Sequence, residues 1–134
     1  IIPELLKTKG SIVNMTSIYG VVGNDLTIYE NTFINTAAPY SAIKGGVINF
    51  TRYLASYYGK QGVRVNCVSP GMINTTFHNT FTKPEVRAHV ASITPLRREG
   101  QAAEVAELVF YLAGDGASFI TGESVEINGG NYFV

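Results

Sequence analysis

Short apolar runs that are typical of buried strands alternate along this chain with stretches of helical spacing. The first run, Ser11–Thr16, contains the β-branched residues Ile12 and Val13 and is followed soon by Gly20. Two later runs, residues 63–69 and 124–128, are similarly short and apolar. Runs this short favour strands over helices, so strands are predicted to alternate with helices along the chain.

A long helical pattern occupies the middle of the chain. Pro39 suits a first helical position, where its missing N–H group is not needed, and Gly59 suits the position after a helix. Between them, apolar residues recur at the 4-3-4-3 spacing of one helix face: Ile43, Val47, Phe50, Leu54 and Tyr57. Gly45 and Gly46 each cost about 1 kcal/mol of helix propensity against alanine, which predicts a close approach of the helix backbone to a cofactor or to another helix.

Three other stretches are predicted to be helical. Residues 1–9 have the spacing of a helix end that Gly10 stops, and residues 76–96 are expected to hold short helices. Gln101–Ala113 is predicted to be a further helix, stopped by Gly114. Its apolar face consists of Val105, Leu108, Val109 and Leu112.

Three residues in the first half of the chain suggest proton-transfer chemistry. Tyr40 and Lys44 are four residues apart in the predicted helix, so their side chains lie on the same face. An ammonium group held beside a phenol favours the phenolate form, which makes the tyrosine a usable proton donor and acceptor. Ser17 follows the first predicted strand, at the carboxyl end where ligands bind in open parallel sheets. Tyr-x-x-x-Lys alone is a weak signal, because roughly 0.3 such pairs are expected by chance, and an ordinary amphipathic helix with a surface lysine would also contain it.

Composition limits the classes of function that the chain can have. Its 134 residues suffice for one domain, and 46% hydrophobic with 15% charged residues is typical of folded proteins. Ten basic and ten acidic residues cancel without forming a basic stripe, which argues against nucleic-acid binding. No apolar run approaches the ~18 residues of a membrane span and no signal peptide is visible, so no membrane partner is predicted.

The single cysteine and the two histidines carry no predicted chemistry. Cys67 cannot form an internal disulfide, which favours a reducing, cytoplasmic location. Its place in an apolar run predicts an inert core residue. His78 and His89 have no second ligand at a metal-like spacing, so no metal site is predicted.

Four segments, taken in order, resemble the short-chain dehydrogenase/reductase family. They are Gly10–Ser17, Tyr40–Lys44, Val63–Gly71 and Ile120–Gly130, and they span nearly the whole chain. Their joint occurrence is a far more specific signal than the Tyr-Lys pair alone. The resemblance implies an α/β fold that is the C-terminal part of a Rossmann-like, doubly wound parallel sheet.

The resemblance implies that residues 1–134 are the C-terminal part of a single NAD(P)-binding Rossmann-like domain. The family carries a glycine-rich turn for the cofactor pyrophosphate in its N-terminal half, and neither Gly45-Gly46 nor Gly129-Gly130 has that spacing. This chain alone is therefore expected to be incomplete as a catalyst. The resemblance implies NAD or NADP as the cofactor. The family selects between these two cofactors in the same N-terminal half, so both are predicted here.

The resemblance also implies a role for each candidate site residue. Tyr40 would exchange a proton with the oxygen of a small carbonyl or alcohol substrate, and Ser17 would hydrogen-bond that oxygen. Lys44 would bind the nicotinamide ribose, and Tyr40 would also contact the cofactor. The turn after the second predicted strand would bind the nicotinamide through Pro70, Gly71, Met72, Ile73 and Thr75. Residues 76–96 would form a lid over the substrate.

The separation between Ser17 and Tyr40 departs from the family pattern. These residues are 23 positions apart, more than the family usually has, and the additional residues lie within 24–38. They are predicted either to form a pocket wall beside the site or to run as a solvated surface loop. Together with Ser17–Gly20, they are similar to family members linked to surface-polysaccharide and flagellin-glycan biosynthesis, which implies a sugar-like substrate.

Three interpretations of function stay open on the sequence. The first is an oxidoreductase that transfers hydride between a nicotinamide cofactor and a carbonyl or secondary alcohol. The second is a catalytically incompetent fragment or a non-catalytic scaffold that uses the apolar helix only for association. The third is a sugar-nucleotide epimerase or dehydratase, which shares Tyr-x-x-x-Lys, although Ile120–Gly130 fits the oxidoreductases better. The family packs the tyrosine-bearing helix in a subunit interface, so a homo-oligomer is predicted.

Overall fold

The computed structural model describes residues 1–29, with 28 and 29 by backbone only, and residues 38–133. Helices and strands follow one another as α1 (Ile2–Thr8), β1 (Ser11–Met15), α2 (Ala38–Tyr58), β2 (Arg64–Pro70), β3 (Ile73–Asn74), α3 (Thr76–Phe81), α4 (Pro84–Ile93), β4 (Gly100–Gln101), α5 (Ala102–Ala113) and β5 (Ser124–Ile127). Short 3-10 turns occupy Ile18–Gly20, Leu26–Tyr29, Gly59–Gln61 and Asp115–Ala117. None of the helices in these ranges combines the length and hydrophobicity that crossing a membrane requires.

Three parallel strands form the main sheet in the order β1-β2-β5. β2 lies in the centre, and five of its seven residues are buried, as expected for a strand covered on both faces. The register places Met15 beside Val68 and Ile127 beside Pro70, so the three carboxyl ends meet at one edge. The predicted α/β fold with a parallel sheet is confirmed.

Apolar side chains pack on both faces of this sheet. Val68 of β2 packs with Val105 and Leu112 of α5, whereas Val65 of β2 packs with Ala55 of α2. Val65 and Val68 are three residues apart in a strand and therefore point to opposite faces. Full burial of a valine or leucine contributes about 1.5–3 kcal/mol, so the two helices hold the sheet between them. The apolar face predicted for α5 is confirmed.

α2 contacts the sheet through a side that the hydrophobic pattern did not indicate. Its buried residues are Ile48, Thr51 and Ala55. Three residues of the predicted apolar stripe are more than half exposed: Ile43, Phe50 and Tyr57. Leu54 of the same stripe packs against the core formed by Ala55, Val63 and Val65, so the stripe only partly faces away from the sheet.

A buried polar contact fixes α2 against β1. The side-chain amide of Asn14 donates to the Thr51 hydroxyl over 2.9 Å, and that hydroxyl donates to the Val47 carbonyl over 2.8 Å. Thr51 is fully buried, so both hydrogen bonds satisfy a group that would otherwise lose its contacts with water. A search for apolar periodicity cannot find such a contact, because it depends on two polar residues 37 positions apart.

The other predicted elements are present with small shifts at their ends. β1 stops at Met15 and β5 at Ile127, one residue before each predicted boundary. Cys67 is fully buried in β2, as predicted. β3 and β4, which pair in parallel over two residues each, were not predicted. Strands of that length are too short to produce a pattern.

The carboxyl end of α5 is held by a residue of the central strand. The Arg64 guanidinium donates from Nη1 to the Leu112 carbonyl at 2.7 Å. Its Nη2 donates to the carbonyls of Ala113 at 3.1 Å and Gly114 at 2.9 Å. The last carbonyls of a helix lack partners within the helix, and a positive charge there is favourable. Arg64 therefore ties β2 to the end of α5.

Replacing Arg64 with methionine should destabilise the protein, because the three carbonyls lose a charged donor. The expected decrease in unfolding free energy is about 1–3 kcal/mol, measured by urea denaturation. Arg52→Met is the matched control. Arg52 is exposed on α2, and within the described residues its side chain makes no hydrogen bond. An equal decrease in both variants would contradict this role of Arg64.

Candidate active site

The carboxyl end of β1 positions Ser17. The Thr16 amide donates to the Val68 carbonyl over 2.9 Å, which extends the contact with β2 beyond the end of β1. Ser17 then starts the 3-10 turn, and its Oγ accepts from the Tyr19 amide at 3.2 Å. The residue is only 8% exposed. A hydroxyl oxygen that accepts a hydrogen bond can still donate its own proton.

Lys44 lies between the carboxyl end of β1 and the ring of Tyr40. Its Nζ donates to the Met15 carbonyl over 3.3 Å and lies 5.6 Å from the centroid of the Tyr40 ring. That distance is within the range of a cation–π contact. Tyr40 is 41% exposed, so its phenol is accessible from solvent. The structure thus brings the ammonium beside the phenol, as the four-residue spacing predicts.

The turn that begins at Ser17 lies directly on the first part of α2. A Cβ atom on Gly20 would lie 2.7 Å from the carbonyl carbon of Lys44, so only glycine allows this contact. The Thr16 hydroxyl donates to the Lys44 carbonyl over 2.9 Å and holds the same two segments together. Gly45 approaches the Gly20 carbonyl, so its close neighbour is this turn and not another helix. The roles of Thr16 and Gly20 were missed by sequence reasoning.

The predicted nicotinamide-binding residues follow β2 and lie at the same edge of the sheet. The Gly71 amide donates to the Ile127 carbonyl over 3.1 Å, and the Met72 carbonyl accepts from the Gly100 amide over 3.0 Å. A Cβ on Gly71 would lie 3.0 Å from the Cα of Asn128, tighter than ordinary contacts. The segment from Pro70 to Ile73 is therefore fixed to β5 on one side and to β4 on the other.

α3 and α4 follow this segment in the region predicted to cover a substrate. Thr75 starts α3, with its Oγ1 accepting from the His78 amide at 3.5 Å. Phe77 and Phe81 are exposed, and their ring centroids lie 5.2 Å apart. Burial lowers the pKa of His78. Within residues 1–29 and 38–133, no three His, Cys, Asp or Glu side chains are arranged to hold a metal ion.

The predicted pocket wall between Ser17 and the helix is described only in part. The Ser41 hydroxyl donates to the side-chain oxygen of Asn24 over 2.6 Å, which joins the start of this segment to α2. Residues 30–37 lie outside the described residues. They include Asn31, Phe33 and Asn35, to which the prediction of a wall or a surface loop also applied.

Comparison with known proteins identifies relatives of this chain. Residues 1–131 match a family model described as enoyl-(acyl carrier protein) reductase. The 2-(S)-hydroxypropyl-CoM dehydrogenase 3 of Xanthobacter autotrophicus is 38% identical over 131 residues, which cover 94% of this chain and 48% of the relative. A 3-oxoacyl-[acyl-carrier protein] reductase from Brucella melitensis has a TM-score of 0.86 at 34% identity, covering 99% of this chain and 46% of that chain. A second structure of such a reductase from the same species, with bound NAD, has a TM-score of 0.83 at 34% identity, covering 99% and 45%.

These matches include all four segments on which the resemblance was based. The chain spans about half the length of the curated relatives it matches, 48% in the case of the hydroxypropyl-CoM dehydrogenase. The structural match extends over the sheet, α2 and the residues that follow β2. The chain therefore belongs to the short-chain dehydrogenase/reductase family.

Proposed function

We propose that this chain is part of an oxidoreductase that transfers hydride between a nicotinamide cofactor and a carbonyl or secondary alcohol. The observation that carries the proposal is the position of Lys44, whose ammonium lies between the Met15 carbonyl and the Tyr40 ring. Residues 1–134 would form the C-terminal part of a single Rossmann-like domain. The length of the relatives supports this assignment, since each extends over about twice the matched segment.

Proton transfer would use the three residues around the end of β1. In the reductive direction, the Tyr40 phenol gives its proton to the substrate oxygen and becomes a phenolate. The Lys44 ammonium stabilises that phenolate by its positive charge. The Ser17 hydroxyl donates a hydrogen bond to the same substrate oxygen, and a well-placed donor of this kind contributes about 2.7–4 kcal/mol to transition-state stabilisation.

The described residues fit the nicotinamide end of NAD or NADP, which supplies the hydride when it is bound. Pro70, Gly71 and Met72 would line the nicotinamide ring, and the hydrogen bond from the Gly71 amide to the Ile127 carbonyl holds this turn against β5. The Ile73 backbone would bind the carboxamide, and Thr75 would contact the carboxamide or a phosphate group. The ribose hydroxyls would interact with Lys44 and Tyr40. NAD bound to the related Brucella reductase supports this assignment, and both NAD and NADP stay candidates.

The proposed substrate is one whose oxygen the Tyr40 phenol and the Ser17 hydroxyl could reach together. A small carbonyl or alcohol compound is proposed, and the likeness of Ser17–Gly20 and the following segment to glycan-linked family members makes a sugar-like compound our finer proposal. Incubation of the intact enzyme with cofactor and candidate substrates tests which type of reaction it catalyses. A net change in nicotinamide absorbance supports the oxidoreductase, whereas an isomerised product without net change would identify an epimerase. A scaffold would give neither.

The exposed stripe of α2, which consists of Ile43, Phe50 and Tyr57, is proposed to form a homo-oligomer interface. These residues repeat every seven positions, which is a spacing found in helix-to-helix packing. Phe50→Glu should therefore lower the molar mass measured by light scattering, because a charge in an apolar interface is unfavourable. Arg52→Glu, on the same helix outside the stripe, should leave the mass unchanged. Unaltered mass in both variants would contradict the interface.

Replacing Tyr40 with phenylalanine in the intact enzyme tests the proposed proton donor. The variant should lower kcat by about 10²- to 10⁴-fold, the usual contribution of a general acid, while cofactor affinity measured by calorimetry stays nearly the same. Tyr53→Phe removes a phenol hydroxyl farther along α2 and serves as the control. Near-normal turnover of the Tyr40 variant would remove this residue from its role.

Replacing Gly20 with alanine tests the contact between the Ser17 turn and α2. The new methyl group would meet the Lys44 backbone at 2.7 Å and push the turn that carries Ser17 away from α2. We expect kcat/KM to fall by about 10²-fold, since small displacements of a reacting group have effects of this size. Gly23→Ala is the matched control, because no described atom lies within 4 Å of the added Cβ there. Equal activity of the two variants would show that the close contact is not needed.

A further inference from the structure

Arg87 of α4 connects four segments next to the proposed cofactor turn. Its Nε and Nη2 donate to the two carboxylate oxygens of Glu99 at 2.6 and 2.5 Å. Nη2 also donates to the side-chain oxygen of Asn74 at 3.2 Å, and Nη1 donates to that of Asn79. The acceptors belong to β3, to α3 and to the residue before β4. All three guanidinium nitrogens are therefore engaged.

The geometry of this contact is specific to arginine. A planar guanidinium that meets a carboxylate with two parallel hydrogen bonds forms the stronger, orientation-dependent class of ion pair. The side chains of Arg87 and Glu99 are 21% and 14% exposed, so water competes little for these bonds. The hydrogen bond from Arg87 lowers the pKa of Glu99, which keeps the carboxylate ionised. Lysine could supply the positive charge but not the two parallel hydrogen bonds.

The contact fixes the residues on either side of Thr75. Asn74 directly follows Ile73, and the β3–β4 pairing joins the same two residues to Gly100 and Gln101. Asn79 lies within α3, which Thr75 caps at its start. By holding Asn74 and Asn79 at once, Arg87 determines how α3 leaves the turn after β2. The exposed rings of Phe77 and Phe81 move with that helix.

We propose that Arg87 is a positioning residue that sets the orientation of Ile73, Thr75 and α3 for binding the nicotinamide end of the cofactor and the substrate. This inference rests on the proposed function and adds a determinant of affinity to it. Within residues 1–29 and 38–133, the side-chain hydrogen bonds of Arg87 go to Asn74, Asn79 and Glu99 and not to the residues around Ser17 and Tyr40. Its loss should therefore act on binding more than on proton transfer.

A second arginine pair provides a matched comparison. Arg98 forms a similar two-pronged contact with Glu104, at 2.8 and 2.6 Å. This pair is more exposed and joins the segment before β4 to the first turn of α5, where Glu104 also accepts from the Gln101 amide. Arg98 also donates to the Glu99 carbonyl, and it makes no hydrogen bond to the described residues of α3. Loss of that pair removes an ion pair of the same chemistry without releasing α3.

The first experiment compares steady-state kinetics of Arg87→Met, Arg87→Lys and Arg98→Met in the intact enzyme. Arg87→Met should raise KM for cofactor and for substrate by about tenfold, with kcat within about threefold of wild type. Arg87→Lys should resemble Arg87→Met, because lysine keeps the charge but cannot form the two parallel hydrogen bonds to Glu99. Arg98→Met should change kcat and the two KM values by no more than about twofold.

Amide hydrogen exchange on the same variants reports the restraint independently of turnover. Arg87→Met should accelerate exchange of residues 73–81 by about tenfold, with β1 and β2 unchanged. Unaltered exchange, full rescue by lysine, or a loss confined to kcat would each overturn the proposal. A wild-type enzyme without cofactor-dependent turnover would instead refute the proposed function, and exchange alone would then decide whether Arg87 restrains α3.

Discussion

The contact of Lys44 with the end of β1 is the interaction on which the proposed site depends. Its ammonium binds the Met15 carbonyl, its own carbonyl accepts from the Thr16 hydroxyl, and its backbone touches Gly20. One residue of α2 thereby holds the strand end, the following turn and the phenol ring of Tyr40 in a fixed relation. The ammonium next to the Tyr40 ring is part of the same contact that aligns helix and strand.

Much of the fold could be predicted because burial leaves a periodic trace in the sequence. The apolar runs of β1, β2 and β5 and the face of α5 are examples, and each is present in the structure. The side of α2 that meets the sheet was not predicted, because Thr51 and Ala55 are small or polar while the larger Ile43, Phe50 and Tyr57 are exposed. β3 and β4 depend on a pairing between residues 27 positions apart and leave no local signal.

The candidate site divides in the same way. Ser17, Tyr40 and Lys44 could be selected from residue type, spacing and order along the chain, whereas Thr16 and Arg87 act through distant partners. Arg87 and Glu99 are 12 positions apart, and nothing in the sequence indicates that their side chains meet. Among these residues, Gly20 was the one with a usable signal in the sequence. A glycine three residues after Ser17 suggests that the backbone of this turn closely approaches another segment, which the structure shows to be α2 at Lys44.

The hydrogen bond between Ser41 and Asn24 has a consequence for sequence variation between these two residues. It joins Asn24, which follows the Gly20 turn, to α2 at a point separate from Lys44. Substitutions between these two anchor residues can therefore leave the contacts of Lys44 with the end of β1 in place.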